Sequence, residues 1–395
     1  MKPNTRQHSH PDQHSHPDQQ RRRLLTLLAA SGIGSATSGL WYGKQRQQPQ
    51  PYERWLSAQG KDNSHYGLAS ISPQQHQALN IPSGFRGHAI CQHPQQPHIV
   101  VMSARRPGLT GLEVNLLTGQ SRTFHSPANH HMQGHSWFSA DGLWLFTTES
   151  NYHSGDGRIT VRDSGTLQLV DNFSSHGIGP HEIRLMPDGK TLVVANGGLL
   201  THPDSGRRVL NPDTMRSTLS YIDSHNGTLI SEHRVPDNKA SIRHFDIADD
   251  GSVAFGMQVQ RQAMSDNHLV PLAAIHKPGQ EIQLLHAPET LTLALHDYMG
   301  SVAIDSQHRI AAFTSPRGDL AMFWHLDDGS LQAYHAFHDV CGLALNNNGS
   351  HFVLSNSAGK IRQISTATLI EDKTLRMEFP AMAWDNHMMA INLLG

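Results

Sequence analysis

The residues best suited to chemistry in this chain are an adjacent histidine and glutamate, His181 and Glu182, in the stretch GIGPHEIRLMPDGKTLVVANGG (177–198). An imidazole and a carboxylate can each bind a metal ion or move a proton. The pair stands directly before alternating apolar residues, a Pro-Asp-Gly turn and a second apolar run. This order predicts a β-hairpin whose first strand carries the His-Glu pair at its start.

The same order of residues recurs along the chain, so the hairpin is one unit of a repeat. The seven units begin near residues 87, 134, 177, 242, 300, 341 and 380. The last unit, PAMAWDNHMMAINL (380–393), is truncated. Further strand-like pieces lie between the units and bring the number of strands per unit to about four. The sequence therefore predicts an all-β protein, a β-propeller most simply built from seven blades of four-stranded antiparallel sheets.

Aligning the units on their turn glycines places polar residues at one repeated position. Seven residues before the glycine stand His135, Glu182 and His244 in the second, third and fourth units. The same register places His88 there in the first unit, and Ser301, Gly342 and Pro380 in the last three. His181 and Arg243 stand one residue earlier in their units. The strand that enters this turn is expected to be the innermost of its blade, where equivalent positions surround the central channel. We therefore expect His88, His135, His181, Glu182 and His244 to converge at one mouth of the channel.

Such a ring of side chains suits a transition metal. Neutral imidazoles and a carboxylate bind Fe, Cu or Zn at about 2.0–2.2 Å. A site dedicated to Cu(I) is less favoured, because no thiolate or methionine sulfur stands in the ring. Arg243 beside the ring is predicted to bind an anionic ligand. The alternative is that these side chains only line a wet channel and bind water.

The composition limits the other possibilities. The chain of 395 residues has a formal net charge of −2, which argues against a nucleic-acid partner. It contains 30 histidines but only two cysteines, Cys91 and Cys341. Two cysteines in so long a chain make no disulfide framework and exclude a cysteine-based metal site. Free thiols are the favoured interpretation, and whether the two pair stays open.

The N-terminal region is typical of an export signal. The segment RRRLLTLLAASGIGSATSGL (21–40) has a basic start followed by a weakly apolar stretch, and it resembles a twin-arginine signal. We expect residues 1–44 to be a His-rich n-region with this signal, 45–64 a linker, and 65–395 a single propeller domain in the periplasm. If the signal is retained, it is the only expected membrane contact. Residues 65–86 are expected to complete the last blade, because open sheet edges would otherwise remain.

The repeats also resemble a known family. The quoted stretch at 177–198, together with THPDSGRRVLNPDTM (201–215) and SIRHF (241–245), is similar to the domain of unknown function 1513 family. The resemblance implies an exported, propeller-like bacterial protein, often with a twin-arginine signal. It also implies an association with imelysin-like and di-haem-peroxidase-like proteins of iron acquisition, which are the candidate partners. The family supplies no catalytic residue.

Three functions are compatible with these observations. The first is a periplasmic propeller that binds a transition metal at its channel mouth and serves uptake or handling of iron or another metal. The second is a protein-docking scaffold without metal. The third is a metal-dependent enzyme, such as a lactonase-like hydrolase or an oxidoreductase, because propellers host such sites. No catalytic residue can be named from the sequence.

Overall fold

Seven four-stranded antiparallel sheets make up the fold in a computed structural model that describes residues 52–61 and 65–393. The predicted seven-bladed propeller is confirmed. The export signal predicted in residues 1–44 lies outside the described residues. Within the described part, no helix is both long and apolar enough to span a membrane.

Six of the sheets are continuous in the chain, and each has its first strand as the inner edge. The first sheet contains β4 (Gly87–Gln92), β5 (Ile99–Ala104), β6 (Thr110–Asn115) and β7 (Ser121–His125). The second contains β8 (His130–Phe138), β9 (Trp144–Asn151), β10 (Gly157–Asp163) and β11 (Leu169–Ser174). The third contains β12 (Pro180–Leu185), β13 (Thr191–Asn196), β14 (Thr218–Asp223) and β15 (Leu229–His233). The fourth sheet contains β16 (Ala240–Ile247), β17 (Val253–Val259), β18 (Ala273–His276) and β19 (Gln283–Leu285). The fifth contains β20 (Val302–Asp305), β21 (Ile310–Ser315), β22 (Leu320–His325) and β23 (Leu331–Ala336). The sixth contains β24 (Val340–Leu345), β25 (His351–Asn356), β26 (Lys360–Ser365) and β27 (Met377–Glu378). The described helical elements are short: α1 (Glu289–Ala294) and 3₁₀ turns at Pro203–Ser205, Arg261–Ala263 and Lys373–Leu375.

The seventh sheet joins the two ends of the described chain. It runs in the order β28 (Trp384–Leu393), β1 (Tyr52–Gln59), β2 (Gly67–Ser72) and β3 (Gln77–Pro82). The expectation that one blade mixes strands from both ends is therefore met. The expected boundary is wrong, however, because β1 lies inside the segment 45–64 that was predicted to be a linker. The segment YERWLSAQ contains many polar residues and was therefore not recognised as a strand, although its second half is buried.

Apolar side chains pack mainly between neighbouring sheets. Leu56 of β1 and Val100 of β5 share one such layer, and Phe323 of β22 and Phe352 of β25 share another. Both cysteines lie in layers of this kind as free thiols. Burial raises the pKa of the Cys91 thiol to about 12, so this group stays protonated at neutral pH. The cysteines therefore act as small core residues.

The geometry of the Asp-Gly turns explains why the repeat units could be aligned on these turns. The Asp141 carboxylate accepts the Leu143 N–H at 3.0 Å, and Gly142 has a φ of +73°. Asp188 and Asp250 accept backbone N–H groups in the same way at the equivalent turns. Each aspartate thus fixes a tight turn whose next position favours glycine.

The innermost strands depart from regular pairing near their starts. The register shifts between Gly87 and Ile90, Met132 and Ser136, Pro180 and Glu182, Ile242 and His244, and Val340 and Leu343. A bulge adds a residue to one strand and re-aims the side chains around it. The first four shifts fall at the positions where the sequence placed its metal ligands.

Candidate metal centre

Four histidines from four consecutive blades meet at the centre of the fold. They are His88 on β4, His135 on β8, His181 on β12 and His244 on β16. One ring nitrogen of each lies within 4.8 Å of the others, and each residue is 4% exposed or less. The structure thus brings together four of the five side chains that the sequence predicted to converge.

The spacing of the ring nitrogens suits a small cation. The Nε2 atoms of His181 and His244 are 3.3 Å apart. Two nitrogens bound to one tetrahedral ion at about 2.0–2.1 Å would be separated by about 3.4 Å. Small rotations of the remaining rings would bring their nitrogens, now up to 4.8 Å apart, to the same distance. The four side chains could therefore hold one ion.

Several ring nitrogens of the cluster have no partner. Both nitrogens of His88, Nε2 of His135 and Nδ1 of His181 are buried without a hydrogen bond. A buried polar atom left unpaired costs about 1–3 kcal/mol, so such atoms are rare in native proteins. A cation at the centre of the cluster could partner one nitrogen of His88 and Nε2 of His135, whereas His181 would face it with Nε2, the atom that lies 3.3 Å from His244. This pattern favours a metal over a merely polar channel lining.

Burial also sets the charge state of the cluster. It lowers the pKa of His88, His135, His181 and His244 well below the usual histidine value. In each case loss of water is the main cause, and neighbouring cationic groups add to it. The imidazoles are therefore neutral at neutral pH, which is the form that binds metals.

Glu182 lies beside the cluster, outside the group of four ligand atoms. Its Oε2 accepts a hydrogen bond from the Phe245 N–H at 3.1 Å and lies 3.2 Å from Nδ1 of His244. Its Oε1 lies 3.8 Å from Nδ1 of His135. The prediction aligned Glu182 with the histidines, but the bulge between Pro180 and Glu182 turns His181 to the centre instead. Glu182 is thus placed to orient the histidine rings.

An ion pair with Arg184 also holds Glu182 in place. The Arg184 Nε donates to Glu182 Oε1 at 3.0 Å, and the same guanidinium donates to Asp246. Asp246 in turn accepts the Ile304 N–H at 2.8 Å. The carboxylate beside the histidines is therefore fixed by contacts that reach across three blades.

A fifth histidine, His387, was missed by the sequence analysis. It lies on β28, with its ring centroid 4.2 Å from that of His244 and 4.6 Å from that of His88. Its Nδ1 lies 2.9 Å from the Ser301 hydroxyl, and its buried Nε2 has no partner. The alignment placed Pro380 at this position because the truncated last unit has no Asp-Gly turn to fix the register. The sequence did offer one signal: His387 directly precedes the largely apolar run MMAINL, just as the His181-Glu182 pair directly precedes an alternating apolar run.

Cavities adjoin the cluster on two sides. One of about 300 Å³ runs along the inner strands and is lined by His135, His244 and His387, among others. Another of about 200 Å³ opens where the inner strands begin and is lined by His88, His181 and His244. The predicted anion ligand Arg243 lines this second cavity. A metal in the cluster would thus be reachable by small molecules.

These features define a class of protein: a seven-bladed β-propeller with a buried histidine cluster that could bind a metal. The family model described as "Protein of unknown function (DUF1513)" matches residues 81–391. The chain belongs to this family, as the repeat motifs indicated.

Comparison with solved structures supports the fold alone. Hydrazine synthase of Kuenenia stuttgartiensis is similar with a TM-score of 0.62 and 14% sequence identity, over 84% of this chain and 100% of that chain. No curated protein matches the sequence. The function must therefore be argued from the site.

Proposed function

We propose that the protein is exported to the periplasm and binds a transition metal at the mouth of its channel, where it serves uptake or handling of that metal. The observation that carries the proposal is the set of four buried histidines whose ring nitrogens lie within 4.8 Å of one another. The unpartnered nitrogens of His88 and His135 support it.

The ligand set favours a metal of intermediate softness. Imidazole suits Zn, Cu and Fe, whereas Mg and Ca prefer oxygen ligands. A nitrogen site generally binds Cu²⁺ more strongly than Zn²⁺ or Fe²⁺, so the metal held in the cell depends on supply as well as affinity. Iron is the first candidate, because the family resemblance associates such proteins with iron acquisition. Imelysin-like and di-haem proteins are then the first partners to test.

A direct test is titration of metal-free protein with Fe²⁺ under anaerobic conditions, and with Zn²⁺ and Cu²⁺ in parallel. We expect about one equivalent to bind tightly to the wild type. A His135→Ala/His181→Ala variant should lose this binding. A His153→Ala/His225→Ala variant should retain it, because those two histidines are exposed and lie outside the cluster. Equal binding to all three proteins would contradict the proposal.

The cavity of about 300 Å³ favours a second candidate function, a metal-dependent enzyme. A metal reached through this cavity could polarise a bound carbonyl or activate water. Turnover of lactones or of redox dyes by the metal-loaded protein, lost in the His135→Ala/His181→Ala variant, would establish this function. Stoichiometric binding without turnover of either would leave metal handling as the function. A docking scaffold without metal is the remaining alternative, and in it water in the adjoining cavities would partner the histidine nitrogens.

Export by the twin-arginine route is the second part of the proposal, and it is supported by the arginines of the segment 21–40. Cell fractionation tests it. The protein should accumulate in the periplasm, and an Arg22→Lys/Arg23→Lys variant should stay in the cytoplasm. Periplasmic accumulation of this variant at the wild-type level would argue for another route.

A further inference from the structure

Five arginines line the small cavity on the side of the histidine cluster where the inner strands begin. They are Arg105, Arg106, Arg207, Arg243 and Arg317. The cavity holds about 200 Å³ and shares His88, His181 and His244 with the cluster. So many guanidinium groups around so small a space are costly unless something negative lies between them.

The arginines come from separate parts of the chain. Arg105 and Arg106 follow β5, and Arg317 follows β21. Arg207 belongs to the long insertion between β13 and β14, and Arg243 is the bulge residue of β16. The fold therefore gathers these charges from four blades at one face.

Little negative charge balances them. Among the described residues that line the cavity, none is an aspartate or a glutamate. Asp385 lies nearby and accepts a hydrogen bond from Arg105 NH1 at 2.7 Å, but it also pairs with Arg86 at 2.7 Å. One carboxylate is thus shared by two arginines, and the cavity keeps a large positive excess.

Two of the arginines are buried with unused donors. Arg243 is 4% exposed, and neither its Nε nor its NH1 has a hydrogen-bond partner. Arg106 is 7% exposed, and its NH1 has none. A buried guanidinium normally has a partner for its charge. These unused donors are available to a ligand that accepts hydrogen bonds.

The electrostatics of the cavity agree with this geometry. Burial, with repulsion from Arg243 and Arg207, lowers the pKa of Arg106 well below its usual value. A bound anion would favour the charged form of this arginine.

We propose that this arginine pocket, defined by the five arginines above, binds a small oxyanion that carries at least two negative charges. Phosphate-type anions and polycarboxylates share the required chemistry, because a guanidinium donates two parallel hydrogen bonds to either. Tyr298 and Asn386 also line the pocket and are joined by a hydrogen bond of 3.2 Å between Asn386 Nδ2 and the Tyr298 hydroxyl. They add neutral polar groups to a site that otherwise recognises charge.

The position of the pocket gives the anion a second role. His88, His181 and His244 line it, so an oxyanion held by the arginines lies against the histidine cluster. If a metal is present, an oxygen of the anion can bind it as a fifth ligand beside the four histidines. This second role rests on the proposed metal binding, whereas the anion site itself does not.

Isothermal titration of metal-free protein with inorganic phosphate, sulfate and citrate tests the anion site. Sodium chloride of matched ionic strength serves as the control for screening. We expect saturable binding of at least one of the three probes near one equivalent. Preference for phosphate or sulfate would indicate a tetrahedral anion, and preference for citrate a polycarboxylate.

Variants locate the binding. Arg207→Gln and Arg317→Gln alter exposed loop residues that line the pocket, and each should weaken binding roughly tenfold. Arg208→Gln is the matched control, because Arg208 is the exposed neighbour of Arg207 in the same insertion but does not line the pocket. Absence of saturable binding by wild type, or equal loss in all three variants, would overturn the proposal. Because the protein is free of metal, this failure is distinct from failure of the metal site.

Discussion

The decisive contacts at the residue scale are those between the histidine rings and Glu182. His244 directs Nδ1 at the Glu182 carboxylate and Nε2 at Nε2 of His181. A carboxylate on one ring nitrogen fixes the tautomer, so that the other nitrogen offers its lone pair to a metal. Glu182 would therefore raise the affinity of the cluster for a metal without itself being a ligand.

The Glu182→Gln variant tests this role. It keeps the shape of the side chain but removes the charge that favours a ring N–H, so we expect one metal to bind with roughly 10–100-fold lower affinity. Competition against a chelator of known affinity gives the measurement. Glu113→Gln is the control, because Glu113 is also a buried carboxylate paired with an arginine but lies outside the cluster. Unchanged affinity in Glu182→Gln would show that the carboxylate does not act on the rings.

The sequence predicted part of this arrangement for a clear reason. His88, His135 and His244 stand at fixed distances from their turns, so the repeat alone predicted that they converge. That Glu182 lies beside the group of four ligand atoms while His181 belongs to it could not be predicted, because a bulge of one residue leaves the spacing of the letters unchanged. His387 was missed because its unit ends before a turn.

The bulged inner strands are the decisive elements at the next scale. Gly134 lies in the bulge of β8 with a φ of +118°. A Cβ atom at this position would lie 2.4 Å from Cδ2 of the His88 ring on the neighbouring blade. The glycine therefore allows both the bulge and the close approach of the first two histidines.

A Gly134→Ala variant should lose metal affinity as well as stability. The added methyl group must displace the His88 ring, and the positive φ adds about 1–2 kcal/mol of backbone strain. Gly119→Ala is the matched control, because Gly119 has a φ of +73° but open space around its Cβ position. Metal titration and thermal unfolding of both variants separate the two effects. Retained wild-type affinity in Gly134→Ala would show that the His88 ring position is not needed.

The strands and turns themselves were largely accessible from the sequence. Asp141, Asp188 and Asp250 mark turns that the structure confirms, since local side-chain contacts fix them. Strand β1 was not recognised, because its partners β2 and β28 are what make YERWLSAQ a strand. A pairing with residues more than 300 positions away leaves no local pattern to detect.

Closure of the ring is the decisive feature of the whole molecule. β1 lies between β28 and β2 and joins the two ends of the propeller in one sheet. Without it, β28 and β2 would each expose an unpaired edge at the centre of a sheet. The inner strand β28 also carries His387, so the strand that closes the ring also places this histidine beside the cluster.

Two shortened chains test the boundary of the fold. A chain that starts at residue 49 keeps β1 and should unfold cooperatively at the wild-type temperature. A chain that starts at residue 65 lacks β1 and should aggregate or lose its cooperative transition. Calorimetry of the soluble fractions gives the comparison. Identical transitions in both chains would show that β1 is dispensable.

The buried histidines also make the stability of the metal-free protein depend on pH. Burial lowers their pKa in the folded state below the value of about 6.5 expected in the unfolded chain. Below pH 6.5 the unfolded chain therefore binds more protons, so the free energy of unfolding falls as the pH falls. Above that pH both states are neutral and the contribution is constant.

Urea unfolding of metal-free protein between pH 7.5 and 5.5 measures this effect. Each buried histidine can contribute a slope of up to about 1.4 kcal/mol per pH unit. The His135→Ala/His181→Ala variant should show a shallower dependence than the wild type. Equal slopes would mean that these two rings titrate alike in the folded and unfolded chains.

Elemental analysis tests the central claim most directly. The untagged wild-type protein is exported, purified without chelators and compared with the His135→Ala/His181→Ala variant prepared in the same way. We predict about one equivalent of Fe, Cu or Zn in the wild type and none in the folded variant. Metal that is absent from both proteins, or present equally in both, would contradict a metal centre in the histidine cluster.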